Sequence, residues 1–368
     1  MSRTQRSITL AAVAVLSVTV AACGGAGGGS GEAVKESGEL SVDGEVIASA
    51  DLMQAAEEEG AVNVYTSMNE VTNEAVAEAF EEDTGIPIEG IVIPTGELFE
   101  RIESESGGGN FPADVVAMPD HSLFKSLLDD KMFTEHTVPA DDMIPEEYKS
   151  PDDLYYALNS APTVIAWNSE EIDDASAPKA WADLPAVARD SRFGMVHATQ
   201  GAGGWGLALF MRDKFGTDYW NELAAAEPVL ESSVGSLAER LGRGEVAVAA
   251  ARPPEIGALK EQGAPVDYVW PEDGTPMFNF FIGQVADSDH PNAAQVYINW
   301  SLSKRGQSVL SAEGGDYPVH PEAAEPVVAD ETLPPMDEVK PYLAEPEKWI
   351  SLRDKWIAEW EEVFNYRQ

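Results

Sequence analysis

The chain has 368 residues, with 23 Lys and Arg against 65 Asp and Glu, a formal net charge of −42 at pH 7. So strong a negative charge repels a phosphate backbone and excludes nucleic acid as a partner. A hydrophobic content of 44% is that of a globular protein, and a single cysteine excludes an internal disulfide and a cysteine-based zinc site.

The N-terminus reads as an export signal. Arg3 and Arg6 precede an uncharged apolar stretch, Ile8 to Ala22, that runs into Val20-Ala21-Ala22-Cys23. The stretch is short for crossing about 30 Å of hydrocarbon, which takes roughly 20 residues. A lone cysteine at the cut resembles the bacterial lipobox, whose thiol is lipidated and becomes the new N-terminus; an ordinary signal with an incidental cysteine is the alternative. Gly24 to Gly31 is glycine-rich and reads as a tether. The expected division is a signal peptide over 1–22 and a lipidated Cys23 with flexible linker over 23–50. Without residues 1–22 the chain keeps 346 residues and a net charge of −44, enough length for two lobes. The acids are spread along the chain, as on a strongly hydrated surface, with a cationic ligand or metal as the alternative.

Order is expected to begin at a helix from Asp51, as N-cap, to Gly60, as stop. A strand Ala61 to Tyr65 follows, then the turn Thr66-Ser67-Met68-Asn69 and a helix over about 73–83 that ends at Gly85. Strand Ile86 to Ile93 leads to Pro94-Thr95-Gly96-Glu97 and a helix through Ile102. Strand Ala113 to Ala117 leads to Pro119-Asp120-His121-Ser122 and helix Leu123 to Leu128. Strands alternating with helices imply parallel pairing with right-handed crossovers. In such sheets ligands bind beyond the carboxyl ends of the strands, where Ser67, Asn69, Glu97 and Asp120 fall. Each of these can equally be a helix cap.

A second alternating block starts after Tyr155 to Trp167. It holds strand Phe193 to Ala198, the glycine turn Gly201 to Gly206 and helix Leu207 to Phe215. A helix Val234 to Leu241 and strand Glu245 to Ala251 follow, the latter ending at Arg252-Pro253-Pro254. The chain continues through Met277 to Gln284, helix Ala293 to Leu302, and Gly314-Gly315-Asp316-Tyr317-Pro318. Trp349, Leu352, Trp356, Ile357, Trp360 and Phe364 form an apolar helical stripe, read as packing.

Several stretches together resemble the substrate-binding lipoproteins of ABC importers, in the branch of the ferric-ion binders. They include Val64-Tyr65-Thr66-Ser67, Pro112-Ala113-Asp114-Val115, Trp167-Asn168-Ser169, Pro178 to Leu184, His290 to Ala294 and Tyr317-Pro318-Val319. The resemblance covers roughly residues 51–325. It implies an α/β, two-lobe type II periplasmic-binding-protein-like fold, each lobe an open mostly parallel sheet flanked by helices, with the ligand cleft between. Lobe one would hold 51–160 plus 283–368 and lobe two 161–282. Crossover strands would lie near Leu158 to Trp167 and Met277 to Gln284. It also implies a non-catalytic monomer without a cofactor, partnered by a small solute and by a membrane permease with its cytoplasmic ATPase, and held outside the cell membrane by the Cys23 lipid.

The ferric binders hold iron with adjacent tyrosines after a lobe-two strand, helped by a histidine and an acid. Here Arg252-Pro253-Pro254 stands in place of the tyrosines and Met68-Asn69 in place of the histidine. Iron is therefore the alternative, and a small anionic or zwitterionic organic solute (a carboxylate, phosphonate or amino acid) the favoured ligand. Arg252 can grip an acid group in bidentate fashion; an ion pair with one of the chain's own acids is the competing reading. The expected contacts are Ser67, Asn69, Glu97 and Asp120 in lobe one, and Asn159, Ser160 and Thr163 at the hinge. Gln200, Gly201, Ala202, Ser233 and Arg252 serve in lobe two, with Tyr317 closing from the C-terminal part. No metal site is expected.

Two rivals remain. Gly201-Ala202-Gly203-Gly204-Trp205-Gly206 is a literal GxGxxG, which read alone suggests a dinucleotide-binding oxidoreductase. Asp316, His320 and Ser311 can be drawn as a hydrolase triad, although spacing alone is no evidence.

Overall fold

The computed structural model describes residues 33–108, 111–150, 152–190 and 192–366. The signal segment 1–22 and Cys23 lie outside the described residues.

The expected linker ends early. Strands β1 (Ala33–Glu36), β2 (Glu39–Val42) and β3 (Glu45–Ala48) form an antiparallel sheet. Ser37-Gly38 and Asp43-Gly44 make the two turns, all four residues at positive φ between 51° and 92°, the signature of tight two-residue hairpins. Leu40, Val42, Ile47 and Ala48 are at most 2% exposed, so an alternating apolar face fixes this sheet on the body.

Helix α1 (Ala50–Glu59) is capped by Ser49 rather than Asp51: the Ser49 hydroxyl accepts from the Leu52 N–H. The chain then alternates through β4 (Val62–Thr66), α2 (Glu70–Thr84), β5 (Ile88–Val92), α3 (Thr95–Gly107), β6 (Val115–Pro119), α4 (His121–Asp129) and β7 (Tyr156–Pro162). Gly60 and Gly85 end α1 and α2 at φ 86° and 81°, a conformation glycine adopts without steric cost. The second block runs β8 (Val164–Asn168), α5 (Leu184–Asp190), β9 (Phe193–Val196), α6 (Gly201–Phe215), α7 (Thr217–Ala224), β10 (Val229–Glu231), α8 (Val234–Gly242), β11 (Val248–Ala251), α9 (Pro253–Glu261) and β12 (Val266–Val269). The last part contains β13 (Thr275–Gln284), α10 (Pro291–Ser301), α11 (Lys304–Gly314), β14 (Tyr317–Pro318), β15 (Val327–Val328), β16 (Glu331–Thr332), β17 (Pro341–Leu343) and α12 (Pro346–Val363).

Two sheets organise these elements. The five-stranded sheet has the order β10-β9-β11-β8-β12; the seven-stranded sheet has β14-β7-β13-β6-β4-β5, with β17 added on β13. The βαβ parts pair in parallel, as expected (β4 with β5 and β6; β9 with β10 and β11). The strands nearest the crossings do not: β8 is antiparallel to β11 and β12, and β13 to β6 and β7. Each sheet is therefore mixed.

The chain passes between the sheets twice, at Thr163 and over residues 270–274. The second passage precedes the expected one. All of β13, Met277 to Gln284 included, pairs within the seven-stranded sheet, so the boundary sketched at 282 moves back to about Thr275. The passages are tied together by the Thr163 N–H, which donates to the Pro276 carbonyl at 2.8 Å.

The GxGxxG run is helix, not loop. Gly201 to Gly206 form the opening turns of α6. A Cβ on Gly204 would sit 2.3 Å from the His197 carbonyl oxygen, and one on Gly206 would meet the Trp349 ring at 3.2 Å. These glycines serve close packing rather than a phosphate cradle. The C-terminal stripe packs as expected: Trp349 and Trp360 are each 2% exposed, and α12 touches α4, α6 and α7.

Candidate functional site

Arg252 closes β11 and starts α9, whose first turn holds Pro253 at N1, where a missing N–H costs nothing. Its guanidinium reaches across to the other sheet. Nη2 donates to Oδ1 of Asp316, which precedes β14, and Nη1 stands 3.8 Å from Glu255 Oε1. The Asn159 amide, from β7, donates to Asp316 Oδ2 at 3.3 Å. The Phe278 ring lies 6.0 Å from the guanidinium carbon, within cation–π range. The side chains of Arg252 and Asp316 are only 15% and 7% exposed. Burial pushes the Asp316 carboxyl up to about 6, and Arg252 partly pulls it back.

Of the expected contacts, Asn159 and Arg252 meet in this cluster, where Arg252 makes the ion pair with the chain's own acids that was its competing reading. Ser160 lies beside it, its hydroxyl donating to Asn279 Oδ1 at 2.6 Å, and Thr163 stands at the crossing. Gln200, Gly201 and Ala202 open α6; Gly203, next in that turn, faces Phe278, whose ring would lie 3.4 Å from an added Cβ. Tyr317 pairs with Ser160 through the backbone, but its hydroxyl donates to the Pro334 carbonyl at 2.7 Å; a buried phenol needs such a partner, so its hydroxyl is committed there.

The other expected residues lie elsewhere. Asn69 and Ser233 are exposed N-caps of α2 and α8, and Glu97 is exposed in the first turn of α3. The Ser67 hydroxyl accepts from Thr95 at 3.1 Å. Asp120 is buried: Oδ1 accepts from the Ser122 N–H at 2.9 Å and Trp349 Nε1 at 3.2 Å, and Oδ2 makes no hydrogen bond but stands 2.9 Å from Arg353 Nη1 as an ion pair. Asp120 caps α4 from a positive φ of 89° and pins α12 there.

The proposed triad is absent. Ser311 donates to the Gln307 carbonyl, His320 pairs with Glu45, and Asp316 holds Arg252. Among the described residues no group of three His, Cys, Asp or Glu side chains is placed to hold a metal. Sequence reasoning missed Glu255, Phe278 and Asn279 as site residues. The one signal for Glu255 was its place three residues after Arg252, where helix spacing brings side chains together.

Beside the cluster lies a cavity of about 470 Å³, lined in part by Asp120, His121, Tyr155, Phe278, Asn279 and Trp349. Burial pushes the His121 imidazole down to about 4; its ring sits 4.3 Å from Phe281 and 5.8 Å from Trp349. Burial lowers His136 and His197 as well. A histidine held neutral in the fold gives stability that is present above the ordinary value and lost as pH falls toward the folded one. The expected result is an unfolding free energy that drops by about 2–3 kcal/mol on His121 alone between pH 7 and 4. Asp316, raised in the fold, runs the opposite way over roughly pH 4 to 6. Urea titrations across this range check the slope, which His121→Gln flattens; an unchanged slope would clear His121.

A model of the family described as bacterial extracellular solute-binding protein matches residues 75–335. A probable ABC transporter periplasmic-binding protein of Sinorhizobium fredii is 25% identical over 244 residues, covering 62% of this chain and 66% of that protein. Iron-bound HitA from Pseudomonas aeruginosa superposes with a TM-score of 0.69 at 21% identity, over 82% of this chain and 99% of that one. AfuA from Actinobacillus pleuropneumoniae, with fructose-6-phosphate bound, gives 0.69 at 21% identity, over 84% and 99%. These structures share the two-lobe fold, whose two sheets and double crossing are described above. The family match spans well over half of the sequence, and the chain belongs to the bacterial extracellular solute-binding proteins.

Proposed function

We propose that the chain is a membrane-tethered, non-catalytic receptor that captures a small anionic or zwitterionic organic solute where its two sheets meet and delivers it to an ABC permease driven by a cytoplasmic ATPase. Cys23 carries the lipid, and the receptor acts as a monomer on the outer face of the membrane. One observation carries the ligand class: the Arg252 guanidinium already holds a carboxylate, that of Asp316, at the junction of the sheets. A solute's acid group fits the same fork. Arg252 belongs to the five-stranded sheet and Asp316 to the seven-stranded one, so a solute bound there contacts both. Such a ligand favours the closed form only through its greater affinity for it. The opening turn of α6 adds a helix dipole of favourable sign.

Native mass spectrometry of the tether-free protein as purified, paired with metal analysis, tests this. A small organic adduct lost in Arg252→Ala supports the reading. Stoichiometric iron with no organic adduct overturns it and restores the ferric alternative named above.

A further inference from the structure

Three buried polar atoms around the Arg252–Asp316 pair have no hydrogen-bond partner: Asn159 Oδ1, Glu255 Oε2 and Arg252 Nε. Buried polar groups are nearly always satisfied, and each exception asks for an explanation. Of the eleven such atoms among the described residues, these three gather at one place, and two are acceptors against one donor. The charges lean the same way. One guanidinium faces two carboxylates, Asp316 and Glu255, so the cluster carries −1 when both are ionised. A purely anionic solute would take it to −2 in a half-desolvated site, where like charges are costly.

We propose that the solute carries an ammonium group as well as an acid group, and that Glu255 is the residue that selects for it. The proposal rests on the reading that Arg252 grips the acid group. The solute's acid replaces Asp316 on the Arg252 fork. Asp316, released, joins Glu255 Oε2 and Asn159 Oδ1 as a set of three acceptors. An ammonium has three donors and no acceptor, so the count closes, and the cluster keeps its −1 with a zwitterion bound. Asn159, 3% exposed, is fixed in β7 and already donates to Asp316, and its buried carbonyl oxygen is the acceptor left without a partner. Glu255 sits one turn into α9 with its nearer oxygen 3.8 Å from Arg252. Acid and ammonium must therefore both lie within a few ångströms of one guanidinium. A short body suits this, as in a small amino acid or aminoalkylphosphonate.

The test uses the full mature chain, unfolded and refolded to strip retained solute, with refolding checked by circular dichroism. Calorimetric titration compares glycine, β-alanine and 2-aminoethylphosphonate with their amine-free partners acetate, propionate and ethylphosphonate. At least one zwitterion is expected to bind at least 100-fold more tightly than its partner, and Glu255→Gln is expected to shrink that ratio below 10-fold. Glu255 has 28% of its side chain exposed, and the near-isosteric amide leaves the fold intact. An amine-free partner that binds as tightly, or a ratio unchanged in Glu255→Gln, overturns the ammonium role and leaves the anion reading standing. A refolded protein that binds neither set overturns both.

Discussion

Replacing Trp349 with Ala lowers the unfolding free energy by about 3–5 kcal/mol, the usual cost of removing a buried tryptophan. The indole is 2% exposed and stands against Gly206 of α6 and His121 of α4. Its N–H is also one of the two donors that bond Oδ1 of the buried Asp120 carboxylate, beside the Arg353 ion pair. Truncation thus opens a void beside a cavity that already measures about 470 Å³ and strips a hydrogen bond from a buried charge. Trp349→Phe separates the two losses, because it keeps most of the ring and gives up only the N–H, a change of about 1–2 kcal/mol. Equilibrium urea unfolding reads both variants. A Trp349→Ala protein as stable as the parent would mean that α12 does not clamp α4 to α6.

Arg252→Ala is the second large effect. Losing one partner of a buried ion pair costs about 3–5 kcal/mol when the other charge is stranded; the pair here is slightly exposed, so the lower figure applies. The variant leaves Asp316 with Asn159 as its remaining partner. Without the guanidinium, burial raises the carboxyl further above its unfolded value. Stability from such a group is present at low pH and fades as pH rises through the folded value. The deficit of Arg252→Ala against the parent is therefore expected to shrink between pH 7 and pH 5, as Asp316 takes up a proton. Combining it with Asp316→Asn should recover most of the loss at pH 7, since no charge is then left alone. A deficit that is the same at both pH values would show that Asp316 is not buried beside Arg252.

Much of the architecture was legible in the sequence because periodicity and glycine stops carry it. The alternation from β4 to α4 and the ends of α1 and α2 at Gly60 and Gly85 follow from local patterns. What failed was non-local or sat in short elements. The β1–β3 sheet was read as linker because glycine and charge dominate its composition, although Ser37-Gly38 and Asp43-Gly44 carried a hairpin signal. The second crossing was misplaced because β13 is mostly apolar and shows no alternation, and such a run does not reveal which sheet it joins. At the site, Arg252 was legible as a cation among acids, but its partner was not. Asp316 lies 64 residues further on, and no local rule links the two. Asp120 illustrates the converse: it stands at a strand end where a ligand is expected, yet α12 uses it for packing.

Strand β1 starts at Ala33, and its distance along the sequence from Cys23 sets an upper length. From Cys23 to Ala33 the chain has only ten residues, a span of at most about 35 Å. A linker running to residue 50 would have reached roughly 90 Å. With the lipid proposed for Cys23, the start of β1 would stand no further from the anchor than the bound of about 35 Å. Under that proposed anchoring, the meeting with a permease in the same membrane would be a search in two dimensions rather than three.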